Sequence, residues 1–76
     1  ESIIFIVSDV LGVEVEKIAP ESKLYHDLGA DSFDFVTIIS KCESLYRITI
    51  TDEDRLNIIT VKDLYDVVWD KIQHSI

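Results

Sequence analysis

Between residues 32 and 46 the apolar side chains recur three or four positions apart: Phe35, Ile38, Ile39, Cys42, Leu45 and Tyr46. That spacing collects them on one side of an α-helix, and the alternation of a strand would scatter them. Asp31 stands directly before the pattern as an N-cap type. Asp34, three residues on, supports a start resembling a capping box. The sequence therefore predicts a helix from Ser32 to Tyr46, with Phe33, Val36 and Ser40 on the far side of its wheel. A helix with so broad an apolar stripe needs other elements to cover it.

The rest of the chain offers those elements. "SIIFIVSDVLG" contains five consecutive apolar residues, which a buried strand would tolerate, but a helix fits better. Ser2 can cap its start, Ile3, Ile6, Val7, Val10 and Leu11 make one stripe, and Gly12 sits where helices stop. Phe5 falls on the opposite face. Residues 13 to 30 show no sustained period and hold the only proline, Pro20, and the second glycine, Gly29. They read as a long, flexible loop, with room for a short helical turn, pinned across the core by Val13, Val15, Ile18, Leu24 and Leu28. Loops this long in small domains are often functional. "RITIT" is a short strand or an extended link. "TDEDRLN" is a short helix capped by Thr51 or Asp52. "TVKDLYDVVWDKIQ" is a last helix, capped by Thr60, with Val61, Leu64, Tyr65, Val68 and Ile72 on one face.

These elements make a single domain over residues 1–76. The expected fold is all-α: a small antiparallel bundle of three main helices plus one short helix, with a long first loop. A chain of 76 residues buries only ~60% of its unfolded surface. With one cysteine, Cys42, it has no internal disulfide to help. A hydrophobic content of 47% must hold it together. A lone thiol also suits a reducing compartment.

The formal charge of −8 argues against nucleic acid and anionic membrane as partners and suits basic protein surfaces. Acidity that merely keeps a small domain soluble is the alternative. No apolar run approaches a membrane span and no signal peptide is visible. The expected location is cytoplasmic, or an organelle matrix if a targeting segment was removed. The first residue is not Met, which reads as a trimmed or processed form.

The residues argue against most chemistries. Ser32 would need a neighbouring base to act as a nucleophile. His26 and His74 have no motif context, and "GADSF" is not the G-x-S-x-G elbow. One Cys and two scattered His make no zinc spacing. "DEDRLNIITVKD" matches a calcium loop only at its start: Leu56 and Asn57 stand where a ligand and the turn glycine belong, and Asp63 where the Glu should be. A loose divalent-ion site among Asp52, Glu53 and Asp54 stays open. Cys42, on the inward stripe, reads as a small core hydrophobe. Ser32 is thus an exposed hydroxyl without machinery of its own. On position alone a plain helix-start residue is the better reading, ahead of a site that another enzyme modifies.

The neighbours of Ser32 change that balance. "LGADSFDFV", Leu28 to Val36, resembles the "LGADSLD-x-V" attachment motif of acyl carrier proteins. The resemblance covers nearly the whole chain. "LGV" at Leu11 to Val13 is similar to the end of the family's first helix, "ITITDED" to the segment before its short third helix, and "ITVKDLYDVV" to its last. The fatty-acid and polyketide carriers are closer than the peptidyl carriers, which usually have another residue before the serine.

The resemblance implies that Ser32 carries a phosphopantetheine arm, added from coenzyme A by a Mg²⁺-using phosphopantetheinyl transferase. Asp31 would help seat that ion. The protein would be no enzyme but a monomeric carrier. Its acyl thioesters would be presented to acyl-transferring and acyl-modifying enzymes with basic and apolar docking surfaces. Phe33, Asp34, Val36, Ser40 and Glu43 would meet them. Phe33 replaces the usual leucine, Thr37 and Ser44 replace common acids, Lys41 adds a cation, Thr51 replaces a frequent proline, and Phe5 an often charged residue. Those departures suggest a specialised carrier rather than the housekeeping one. An unmodified acidic interaction module and a small divalent-ion-binding domain are the readings from other classes.

Overall fold

The computed structural model describes residues 2–74. Helix α1 spans Ser2–Leu11, α2 spans Ser32–Tyr46, the short α3 spans Asp52–Leu56 and α4 spans Val61–His74. A single 3-10 turn, Val15–Lys17, interrupts the long first connection. No strand forms among the described residues, so the all-α expectation holds.

Each helix stops or starts where local chemistry requires. Gly12 ends α1 at φ +68°, a left-handed conformation that costs glycine little, and its N–H donates to the Ser8 carbonyl at 2.8 Å. The Ser8 hydroxyl donates to the Val13 carbonyl at 2.6 Å and holds the chain as it leaves the helix. Helix α2 ends at Arg47, a non-glycine residue in the same left-handed region (φ 55°, ψ 51°). Thr51, rather than Asp52, caps α3: its hydroxyl accepts the Asp54 N–H at 3.0 Å, and Asp54 returns a bond to the Thr51 N–H at 2.9 Å. Thr60 and Asp63 repeat that exchange at the start of α4. Asp63 Oδ2 also accepts the Ile59 N–H, and these backbone donors hold its carboxyl below the ordinary carboxylate range. Ser2, the expected cap of α1, is instead the first residue of that helix.

The core gathers Ile3 and Val7 of α1, Phe35, Ile38, Ile39 and Cys42 of α2, and Val61, Leu64 and Val68 of α4. Helix α1 lies chiefly against α2, and α4 closes on both. Cys42 has no exposed surface, and burial, with the nearby Glu43 charge, pushes its thiol up to about 11. It is packed as an inert small hydrophobe.

Two residues depart from the predicted stripes. Leu45 is 56% exposed rather than inward, in the last turn of α2. Tyr65 is 46% exposed, lying at the margin of the α4 stripe beside Trp69. Phe5 is exposed as expected. "RITIT" is an extended link, with Ile48 and Ile50 alternately buried.

The long first connection is tied down rather than free. Leu24 donates to the Ile59 carbonyl, Val61 to that of Ser22 and Lys62 to that of Pro20, at 2.9–3.0 Å. Lys23 and Thr60 form an antiparallel bridge between the two segments. Ile18 and Leu24 are buried beneath it. This clasp joins the approach to α2 to the α3–α4 junction, and so sets where α2 begins.

Candidate functional site

The chain enters α2 through a tightly bonded turn. Asp27 and Leu28 both donate to the Lys23 carbonyl, and Asp27 Oδ2 accepts the Lys23 N–H at 2.8 Å. Gly29 then takes φ +76°, which reverses the chain without strain. Ala30 drops into the core and donates to the Leu24 carbonyl. Asp31 is extended (φ −108°, ψ −177°), and the helix begins at Ser32.

Asp31 and Asp34 close the predicted capping box. Asp31 Oδ1 accepts the Asp34 N–H at 2.8 Å, and Asp34 Oδ2 accepts the Asp31 N–H at 3.3 Å. The Phe35 N–H is taken by the Asp31 carbonyl. Two of the four orphan donors of the helix start are thereby satisfied, while the N–H groups of Ser32 and Phe33 bond to nothing among the described residues. Asp31 Oδ2 accepts no hydrogen bond there either. Ser32 is exposed, and among the described residues its hydroxyl has no hydrogen-bond partner and no base bonded to it.

Such an arrangement suits an anion on the serine. A phosphate bonded to Ser32 would meet unpaired N–H groups and the positive end of a fifteen-residue helix. A spare carboxylate oxygen beside it can share a Mg²⁺ ion with phosphate oxygens, the coordination that ion prefers.

The predicted surface residues are distributed unevenly. Phe33 is 78% exposed and Val36 46% exposed, and Ser40 is also open to solvent, so these three form the outward side of α2. Thr37 turns its hydroxyl back onto the Phe33 carbonyl at 2.9 Å. Asp34 is half-buried and serves the cap. Glu43 differs from the expected outward acid. Its Oε2 accepts the Ile50 N–H at 2.8 Å, in a half-buried position, fixing the link after Arg47. That bond spans a left-handed turn, which no local pattern reveals. The acids of α3 also differ from a loose ion site. Lys71 of α4 bonds Asp54 Oδ2 at 2.8 Å and, with the Thr51 N–H, lowers the Asp54 pKa to about 2. No grouping of potential metal ligands occurs among the described residues.

A cleft of about 410 Å³ opens beside the site, walled by Tyr25, Phe35, Arg55, Leu56 and Ile59. Phe35 lies three residues after Ser32 and thus on the neighbouring part of the helix face. The rings of Tyr25 and Phe35 stack with centroids 5.6 Å apart. The sequence pattern marked Phe35 as core but gave no sign of this cleft, whose walls come from three separate segments.

Comparison with known proteins follows the same lines. The family model described as "Phosphopantetheine attachment site" matches residues 1–68. The acyl carrier protein of Syntrophobacter fumaroxidans (strain DSM 10017 / MPOB) is 44% identical over 64 residues, covering 84% of this chain and 79% of that protein. The acyl carrier proteins of two Nitratidesulfovibrio vulgaris strains, DP4 and Hildenborough, are 41% identical over 66 residues, 87% of each chain.

Proposed function

The chain belongs to the acyl carrier protein family, with its phosphopantetheine attachment domain, and from that premise we propose that Ser32 is the attachment residue. The observation that carries this reading is the unpartnered, exposed Ser32 hydroxyl at the start of α2, between a cap that leaves Asp31 Oδ2 unbonded and two unpaired N–H groups. When bound, phosphopantetheine supplies a thiol that holds acyl groups as thioesters. The chain's own part is to present the hydroxyl, stabilise the phosphodiester at the helix start and offer a docking face.

In loading, the Ser32 oxygen forms a bond to phosphorus as the diphosphate linkage of coenzyme A breaks. The hydroxyl proton is lost, and the nucleotide half departs. A phosphopantetheinyl transferase performs this step, and Asp31 contributes one ligand to its Mg²⁺. The chain itself catalyses nothing. Acyl-handling enzymes then dock on the outward side of α2, where Phe33, Val36 and Ser40 supply contact area and Asp34 supplies charge. Glu43, engaged by Ile50, contributes mainly to the fold of the face. The working form is a monomer, and the compartment is the cytoplasm. No described helix is long and apolar enough to cross a membrane.

The test is incubation with coenzyme A, Mg²⁺ and a broad-specificity transferase, followed by intact mass and peptide mapping. One phosphopantetheine unit is expected on the wild type and none on Ser32→Ala. Addition at Ser22 or Ser44 would overturn the assignment.

A further inference from the structure

Two planar peptide groups connect the start of α4 to the turn that leads into α2. Asp63 Oδ2 accepts the Thr60 N–H at 3.0 Å. That N–H shares a peptide group with the Ile59 carbonyl, and in a trans peptide the two point in opposite directions. The Ile59 carbonyl accepts the Leu24 N–H at 3.0 Å. The Leu24 N–H in turn shares a peptide group with the Lys23 carbonyl, which accepts the N–H groups of Asp27 and Leu28 at 2.8 and 3.0 Å. A continuous chain of hydrogen bonds thus runs from the Asp63 carboxylate to Leu28, the first residue of "LGADSFDFV".

The groups at its two ends distinguish this chain from ordinary loop contacts. Asp63 Oδ2 also accepts the Ile59 N–H at 3.0 Å, so one oxygen grips the backbone on both sides of Ile59. The Thr60 and Ile59 N–H groups hold the carboxyl below its ordinary range, so it is charged near neutrality. A hydrogen bond to a charged acceptor is roughly twice as strong as a neutral one, and it polarises the peptide behind it, which makes the next carbonyl a better acceptor. At the far end little slack intervenes. Leu24 has no exposed surface, Ala30 is buried and donates to the Leu24 carbonyl at 3.0 Å, and Asp31 and Ser32 follow directly.

We propose that Asp63 is a positioning residue for attachment at Ser32, and that it acts through this chain of two peptide groups. The inference rests on the carrier reading above and names a residue that the attachment motif does not contain. The transferase meets the hydroxyl where the turn places it, and a displacement of about 1 Å can cost on the order of a hundredfold in rate. The outward side chains of α2, Phe33, Val36 and Ser40, lie outside the chain. Losing Asp63 should therefore slow the chemical step and leave docking in place.

The experiment measures transfer from coenzyme A, with Mg²⁺ and a broad-specificity transferase, as a function of carrier concentration for the wild type, Asp63→Ala, Asp63→Asn and Thr51→Ala. Thr51→Ala removes the cap of α3, which lies off the chain, and controls for a plain loss of stability. A merely unfolded fraction removes usable carrier, which raises the apparent KM and leaves kcat unchanged. Asp63→Ala is expected to lower kcat about tenfold with KM within about twofold of wild type. Asp63→Asn keeps a neutral acceptor and should lower kcat about threefold. Amide exchange should quicken at Leu24 and Leu28 in both Asp63 variants and not in Thr51→Ala. If Asp63→Ala does not fold, Asp63→Asn decides by the same two readouts. A wild-type kcat in either Asp63 variant, unchanged exchange at Leu28 in them, or an equal loss of kcat in Thr51→Ala overturns the inference and leaves the carrier reading intact. A wild type that gains no mass at Ser32 overturns both.

Discussion

Asp31 and Asp34 bond each other's backbone N–H across the residue that carries the exposed hydroxyl, at 2.8 and 3.3 Å. Ser32 thus sits inside the box, held by its neighbours while bonding to neither. Asp31 Oδ1 is spent on the cap, and its Oδ2 accepts no hydrogen bond among the described residues.

Asparagine caps about as well as aspartate but lacks the charge. Asp31→Asn should leave stability within about 0.5 kcal/mol of wild type and slow phosphopantetheine transfer, with partial recovery at raised Mg²⁺. Asp31→Ala should slow transfer as well and cost about 1 kcal/mol of stability. Urea unfolding and initial rates by mass spectrometry read the two effects. Transfer to Asp31→Asn at the wild-type rate would reduce Asp31 to a cap.

Phe33, 78% exposed, contributes little to the folded chain and much to a partner that covers it. Full burial of such a side chain is worth ~1.5–3 kcal/mol, against ~0.2–1 kcal/mol for an exposed ion pair. Phe33→Ala should keep its melting temperature and lose roughly tenfold or more in affinity for an acyl-handling partner, mainly through faster dissociation. Surface plasmon resonance beside calorimetry tests this. Lost stability with normal binding would make Phe33 a packing residue.

Asp34→Asn preserves the acceptor for the Asp31 N–H and removes one negative charge. Its effect should fall on the association rate and fade at high salt. A salt-independent change in dissociation would show instead that Asp34 makes a buried contact with the partner.

The cleft next to Phe35 also predicts how loaded forms melt. Methyl-terminated acyl chains should raise the melting temperature stepwise with length, by an amount bounded by ~0.8 kcal/mol per buried CH₂, until the space is filled. Identical melting for short and medium chains would mean that the chain stays in solvent.

Lys71 and Asp54 tie α4 to α3. The Asp54 carboxyl is lowered to about 2, first by its bond to Lys71 and then by the Thr51 N–H. A lowered pKa stabilises the folded chain above the ordinary carboxylate value of 3.8, and that contribution fades as pH falls toward about 2. Lys71→Gln should therefore be less stable than wild type near neutrality and lose less on acidification from pH 5 to 2. Parallel unfolding curves at both ends of that range would assign the acid sensitivity elsewhere.

What the sequence disclosed follows from how local each interaction is. The box of Asp31 and Asp34 and the Thr60 cap each close over three residues, so residue types alone revealed them, whereas at α3 they left Thr51 and Asp52 both open. Phe35, Ile38, Ile39 and Cys42 followed from helical period. Leu45 did not, because period says which side a residue takes and not how far the covering helices extend. Glu43 bonds Ile50 across a turn whose hand depends on Arg47, and Asp54 finds Lys71 one helix away. Arg55 was not legible for the same reason: only the assembled chain shows that it lines a cleft with no acid among the described residues.

The clasp between residues 20–24 and 59–62 has a consequence for the chain's birth. Three backbone hydrogen bonds, two of which make the Lys23–Thr60 bridge, hold the approach to Ser32, and their partners leave the ribosome after the serine does. A nascent chain that ends before Ile59 carries the whole attachment motif but cannot assemble its setting. The setting of Ser32 is therefore a property of the finished fold and not of the motif alone.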